Sequence, residues 1–155
     1  DAVKNKDGRI GCGESHILAL KLAEEKNYEN VLILEDDFVF DLKIKLLNEA
    51  IINTLELDNE YNMFIIDKSV RDYKMISKNI MEVYFSLKTG AYLINRRFFS
   101  TLRKCFEDCV LQLKEGGDIP IDGYWGRAME ENKKVYTTKL KLGYQRKSYS
   151  DINKK

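Results

Sequence analysis

The run Val31-Leu32-Ile33-Leu34-Glu35-Asp36-Asp37 constrains this chain more than any other segment, because an apolar strand pattern stops abruptly at three adjacent carboxylates. A strand interior would leave those charges unsolvated, so they belong where a strand leaves its sheet and can share a cation. Met63-Phe64-Ile65-Ile66 before Asp67 repeats the pattern, as expected for strands of a mostly parallel sheet. Successive strand residues point to opposite faces. Two of the three acids are therefore expected to meet near a cation, and all three only if the chain turns there. All-oxygen ligands favour Mg²⁺ or Mn²⁺, ions that complete their shell with water and substrate phosphates, and a nucleotide diphosphate would fit. The alternative is a solvated turn in which Asp36 or Asp37 caps the next element.

Between these runs the apolar periodicity changes to that of helices. Ser15 is placed to cap a helix over 17–26, carrying Ile17, Leu18, Leu20, Leu22 and Ala23. Asp41 opens a second helix through Leu42, Ile44, Leu46, Leu47, Ala50, Ile51 and Leu55. The segments 82–87 and 90–94 read as strands, 96–113 as a helix broken by Gly116-Gly117, 121–131 as a short amphipathic helix after Pro120, and 135–142 as a last strand. The pattern specifies an α/β fold with helices outside a central sheet, in one domain spanning residues 1–155. That length buries about two thirds of the unfolded surface.

Charge and cysteine content exclude several classes. Lysine and arginine number 26 against 25 acids, a formal charge of +1, so nothing draws the chain as a whole to nucleic acid or an anionic membrane. Cys12, Cys105 and Cys109 are too few for a disulfide framework, and one histidine leaves no Cys/His zinc constellation, which points to a reducing, cytoplasmic compartment. No apolar run approaches the roughly 20 residues that span a bilayer.

Gly11-Cys12-Gly13-Glu14-Ser15-His16, a helix, and the strand ending in Glu35-Asp36-Asp37 together resemble glycosyltransferase family 25, the lipooligosaccharide-biosynthesis and collagen galactosyltransferase-like enzymes. Gly90-Ala91-Tyr92-Leu93-Ile94, Ile119-Pro120-Ile121-Asp122, and a tail with Gln145, Ser148, Ser150, Asp151 and Ile152 extend the resemblance in the same order. It implies a GT-A-like three-layer sandwich. It also implies metal-dependent, inverting transfer of a sugar, galactose or glucose, from a nucleotide-sugar donor, most simply a UDP-sugar, to a glycan or protein-linked hydroxyl.

On that resemblance the acidic run is the counterpart of the Asp-x-Asp motif of GT-A enzymes. Asp36 and Asp37 then hold Mn²⁺ or Mg²⁺, with Glu35, His16 and Gln145 on the donor side. An inverting transfer also needs a base beside the acceptor hydroxyl. Asp122 is the candidate, since Pro120 stiffens its approach and Gly123 leaves room beside it; its alternative role is a helix cap, and Asp118 is the weaker choice. His16 is alternatively a structural donor to a neighbouring carbonyl, and Cys12 a packing residue. Tyr124 and Trp125 could stack on an acceptor sugar, and Arg146 and Lys147 could neutralise a diphosphate.

Family members typically begin with a further strand and helix before the glycine-cysteine segment, so an N-terminally shortened fold is expected here. A sheet lacking that strand exposes an edge that a partner chain, as in a homo-oligomer, could cover. A non-catalytic remnant or binding module that keeps the scaffold is the alternative function.

Overall fold

A computed structural model describes residues 2–41 and 44–146. Leu42, Lys147, Ser148, Ser150, Asp151 and Ile152 lie outside the described residues. The described chain runs α1 (Gly8–Glu25), β1 (Asn30–Leu34), β2 (Phe38–Phe40), α2 (Ile44–Leu57), β3 (Met63–Ile65), β4 (Ser69–Met75), β5 (Ile80–Leu87), β6 (Ala91–Asn95), α3 (Arg96–Lys114), α4 (Ile121–Asn132), β7 (Val135–Thr138) and β8 (Gly143–Gln145).

Six strands form one sheet in the order β1-β6-β3-β7-β5-β4, and β2 and β8 pair separately. Only β3 and β7 are parallel; the other pairings in the large sheet are antiparallel. The expected mostly parallel sheet is thus corrected to a mixed one. An unbroken apolar run reports burial on two faces, and it reads the same in either strand direction. β1 and β3 both run antiparallel to β6, which lies between them. They therefore point the same way, and the acids that end both runs emerge at the same end of the sheet.

Side chains alternate between two cores, as the pleat requires. Met63, Ile65, Tyr92, Ile94 and Val135 join the cluster built with α1, α3 and α4, while Phe64, Ala91 and Tyr136 join Leu47 and Ala50 of α2 on the other face. Helices therefore cover both faces of the sheet. Among the described residues no helix is long and apolar enough to cross a membrane.

Two elements differ from the sequence reading in instructive ways. α1 begins at Gly8, capped by Asp7, whose carboxylate accepts from Arg9 N at 2.9 Å, so Ser15 is interior rather than a cap. Ser15 Oγ donates to Gly11 O at 2.7 Å and accepts from Val3 N at 2.9 Å. Glycines disfavour a helix locally, but a Cβ at Gly13 would come within 2.6 Å of Val110 Cγ2, so close packing on α3 requires the glycine there. Likewise β1 is an edge strand among the described residues, with Leu32 and Leu34 44% and 46% exposed, although its composition is that of a buried one. Strands β2, β4 and β8 carry too little apolar alternation to announce themselves, and the last expected strand ends at Thr138 rather than 142.

Candidate functional site

The acidic run leaves β1 in a tight turn. Glu35 N donates to Gly90 O at 2.8 Å, and Phe38 N donates back to Glu35 O at 3.1 Å. This reversal answers the alternation problem: Glu35 and Asp37 come to one side, while Asp36 sits exposed at the tip. Gln145 Nε2 donates to Glu35 Oε2 at 3.0 Å and reaches Asp37 Oδ1 at 3.5 Å. Gln145 arrives through the small sheet, where it pairs with Phe38. Arg146 continues that pairing, its backbone N donating to Asp37 O at 2.8 Å and its Nη2 to Asp36 O at 2.9 Å. Within this structure Arg146 clamps the acidic turn.

Glu35 is the centre of the network. Thr89 Oγ1 donates to its Oε1 at 2.8 Å, and His16 Nε2 lies 3.4 Å from the same oxygen. His16 is buried in mid-α1, stacked on Tyr92 and edge-on to Phe106, with Nδ1 2.8 Å from Tyr92 Oη. Its ring is thereby locked, and one nitrogen faces Glu35. Burial would raise the Glu35 carboxyl, but the contacts from His16, Thr89 and Gln145 outweigh that and hold it below its ordinary range. Asp37 moves the other way, raised first by burial and then by the Glu35 charge.

Asp67 ends the parallel-running β3 and is 2% exposed. Burial pushes its carboxyl up, Lys88 opposes this at 3.3 Å, and the Glu35 and Asp37 charges add to the rise. Asp67 also lines a cavity of about 250 Å³ with Lys68, Lys88, Lys141 and Tyr144. Lys68 Nζ is bound by the carbonyls of Thr138 and Leu140, and burial lowers its pKa to about 8. The strand-end pattern pointed to Asp67 as an acid closing an apolar run, whereas Thr89 and Lys88 as partners of the acids, and Tyr92 as the partner of His16, had no comparable signal.

Asp122 lies in the first turn of α4, half-buried, where the helix dipole favours a carboxylate. Pro120 is the residue at the cap, so the capping alternative for Asp122 does not hold. Cys12 reports how these acids are grouped: burial and then the charges of Glu35, Asp122 and Asp37 push its thiol up to about 12. Asp118 is engaged differently, its carbonyl accepting from Arg9 Nη1 at 3.4 Å.

The expected acceptor platform is reduced to one residue. Trp125 is fully buried, donates from Nε1 to Ser86 O at 2.8 Å and packs on Tyr92, so it belongs to the core. Helical periodicity turns position 125 inward and position 124 outward. Tyr124 is half-buried, with the Arg127 guanidinium 5.0 Å from its ring centre.

Among the described residues, Cys12, His16 and Glu35 bring their ligand atoms within 4.8 Å of one another. That trio mixes soft and hard donors and contains a thiol strongly held in its protonated form, whereas Glu35 with Asp37 offers oxygen only. Oxygen donors of the second kind are the type that hard divalent cations take.

No curated protein matches the chain. The family model described as glycosyltransferase family 25 (LPS biosynthesis protein) matches residues 6–125, from before α1 into the first turns of α4.

Proposed function

This chain belongs to glycosyltransferase family 25, and from that premise we propose that it transfers a sugar from a nucleotide-sugar donor, most simply a UDP-sugar, to a glycan or protein-linked hydroxyl, with inversion and with a divalent cation. The observation that carries this reading is the convergence of Glu35 and Asp37 on one side-chain amide, Gln145 Nε2. Two carboxylates that must share a single neutral donor form a natural seat for Mn²⁺ or Mg²⁺. Asp36, exposed at the tip of the turn, would complete the acidic set from the solvent side. When bound, the ion supplies charge stabilisation for the departing diphosphate.

The chain's own residues do the rest. The acceptor hydroxyl attacks the anomeric carbon from the face opposite the diphosphate; the new C–O bond forms as the bond to the phosphate oxygen breaks and its electron pair leaves with the nucleoside diphosphate. Asp122 takes the hydroxyl proton. His16, fixed by Tyr92, and Thr89 hold Glu35 in its ionised form and in one orientation. Tyr124 offers the remaining aromatic surface for an acceptor ring.

Calorimetric titration with UDP, with and without Mn²⁺, tests the reading. UDP binding that requires Mn²⁺ and weakens about tenfold or more in Asp37→Asn is expected. A folded protein that binds no UDP with Mn²⁺ present overturns it and favours a scaffold that has lost donor binding.

A further inference from the structure

Cys12 and His16 stand four residues apart on α1, so their side chains share one face of the helix, a turn apart. The turn after β1 brings Glu35 to that face. Among the described residues these three form the one group of cysteine, histidine and acidic side chains whose ligand atoms all lie within 4.8 Å of one another. His16 Nε2 and Glu35 Oε1 are 3.4 Å apart. Ligand atoms on a tetrahedral zinc ion, each roughly 2.0–2.3 Å from the metal, stand about 3.3–3.8 Å from one another, so this pair already has the spacing of two ligands.

The groups behind the donors hold them in place. Tyr92 Oη lies 2.8 Å from His16 Nδ1, and the stacked rings fix the imidazole with Nε2 turned to Glu35. A metal-bound imidazole has its other nitrogen hydrogen-bonded in this way. Gln145 Nε2 holds Glu35 Oε2 at 3.0 Å, which leaves Oε1 as the oxygen facing His16. Burial and the charges of Glu35, Asp122 and Asp37 keep the Cys12 thiol protonated. A divalent cation neutralises a thiolate and the acids around it together, and a coordinating thiol gives up its proton.

We propose that Cys12 Sγ, His16 Nε2 and Glu35 Oε1 form a binding site for Zn²⁺, with water in the fourth position, and that zinc held there antagonises Mn²⁺-dependent donor binding. Thiolate with imidazole selects zinc, whereas Mg²⁺ and Mn²⁺ prefer oxygen alone. On binding, the Cys12 S–H bond breaks, its proton leaves to solvent and the sulfur electron pair bonds the ion; nothing is oxidised or reduced. The ligand set stands by itself, whereas the antagonism rests on the metal-dependent reading above. Glu35 is common to both sites, so an ion on its Oε1 withdraws it from the pair it makes with Asp37 at Gln145.

Co²⁺ enters zinc sites and reveals a bound thiolate by a near-ultraviolet charge-transfer band, so its titration into the full chain without nucleotide tests the ligand set. A saturable band that Zn²⁺ abolishes is expected. Cys12→Ser should remove the band and Cys105→Ser should retain it, with native circular dichroism in both. Losing an outer-shell partner alone costs about 10- to 100-fold in metal affinity, so His16→Gln and Glu35→Gln are each expected to weaken Co²⁺ binding at least that much. No band in the unsubstituted protein, a band that survives Cys12→Ser, or unchanged affinity in either His16→Gln or Glu35→Gln overturns the site. Should the buried His16→Gln fail to fold, Glu35→Gln decides. Zinc is further expected to weaken Mn²⁺-dependent UDP binding about tenfold in the unsubstituted protein and to leave it unchanged in Cys12→Ser. An equal effect of zinc on both proteins overturns the antagonism. Absence of UDP binding beside an intact cobalt band overturns the transferase reading and the antagonism with it, and supports the zinc site alone.

Discussion

Two carboxylates of the site titrate in opposite senses, and this has consequences for stability. Glu35 is held below its ordinary pKa, so it stabilises the fold above that ordinary value, and the contribution is lost as pH falls through its folded value. Asp67 is raised, so its charged form opposes folding at neutral pH, and the penalty disappears as the group protonates in acid. Glu35→Gln is expected to lower stability by about 1–3 kcal/mol at neutral pH, since charge-assisted contacts from Thr89, Gln145 and His16 weaken together. The deficit should shrink in acid, below the ordinary carboxylate range, where the native carboxylate protonates. Asp67→Asn should behave conversely, being neutral or stabilising at pH 7 with an advantage that fades in acid. Thermal melts of both variants at neutral and acid pH check the signs; a pH-independent deficit in Glu35→Gln would show that shape rather than charge matters there. At this scale the acidic run was legible as the place to look, because an apolar strand that stops at adjacent carboxylates must deliver them where they stay solvated or paired. Thr89 as a partner of Glu35 and Tyr92 as the partner of His16 were not, since both sit in segments whose composition suits any strand or turn.

Among the elements, the small β2–β8 sheet contributes most to the site for its size. It consists of three residue pairs, Phe38 with Gln145, Val39 with Tyr144 and Phe40 with Gly143, and it alone carries Gln145 to the acidic turn. Isolated two-stranded pairings are marginal, so this one depends on close fit. A Cβ at Gly143 would lie 2.3 Å from Phe38 Cζ and 2.5 Å from Val39 O, and backbone cannot step aside as a flexible side chain can. Gly143→Val is therefore expected to undock β8 and reduce Mn²⁺-dependent UDP binding about tenfold or more, with the main melting transition nearly unchanged. Calorimetry beside a thermal melt distinguishes this from global unfolding, which would lower both. Neither β2 nor β8 was legible beforehand: three-residue strands carry no usable period, and their pairing spans more than a hundred residues. α1 shows the same limit in reverse. Its apolar stripe was legible from Ile17 onward, but its first turns contain Gly13, explained by packing on Val110 and Ile121, and Gly11, explained by the close approach of the Val3 carbonyl.

For the molecule as a whole, all three cysteines are free and all are pushed up, Cys12 and Cys109 to about 12 and Cys105 to about 11, chiefly by burial. Thiols so placed are poor nucleophiles at neutral pH. Labelling with a disulfide reagent is expected to be slow in buffer and to become fast for all three in step with urea unfolding. Rapid labelling of Cys12 alone would instead reveal local opening of the site. The alternation of apolar runs and helical stripes determined the α/β class, the order of the main elements and the end of the sheet where the acids gather, because these follow from local periodicity and from the cost of burying charge. Strand direction, the edge position of β1, the burial of Trp125 and the meeting of Glu35 and Asp37 at Gln145 required the folded chain. Each depends on which distant segment lies alongside, and such pairing leaves no mark within a window of neighbouring residues.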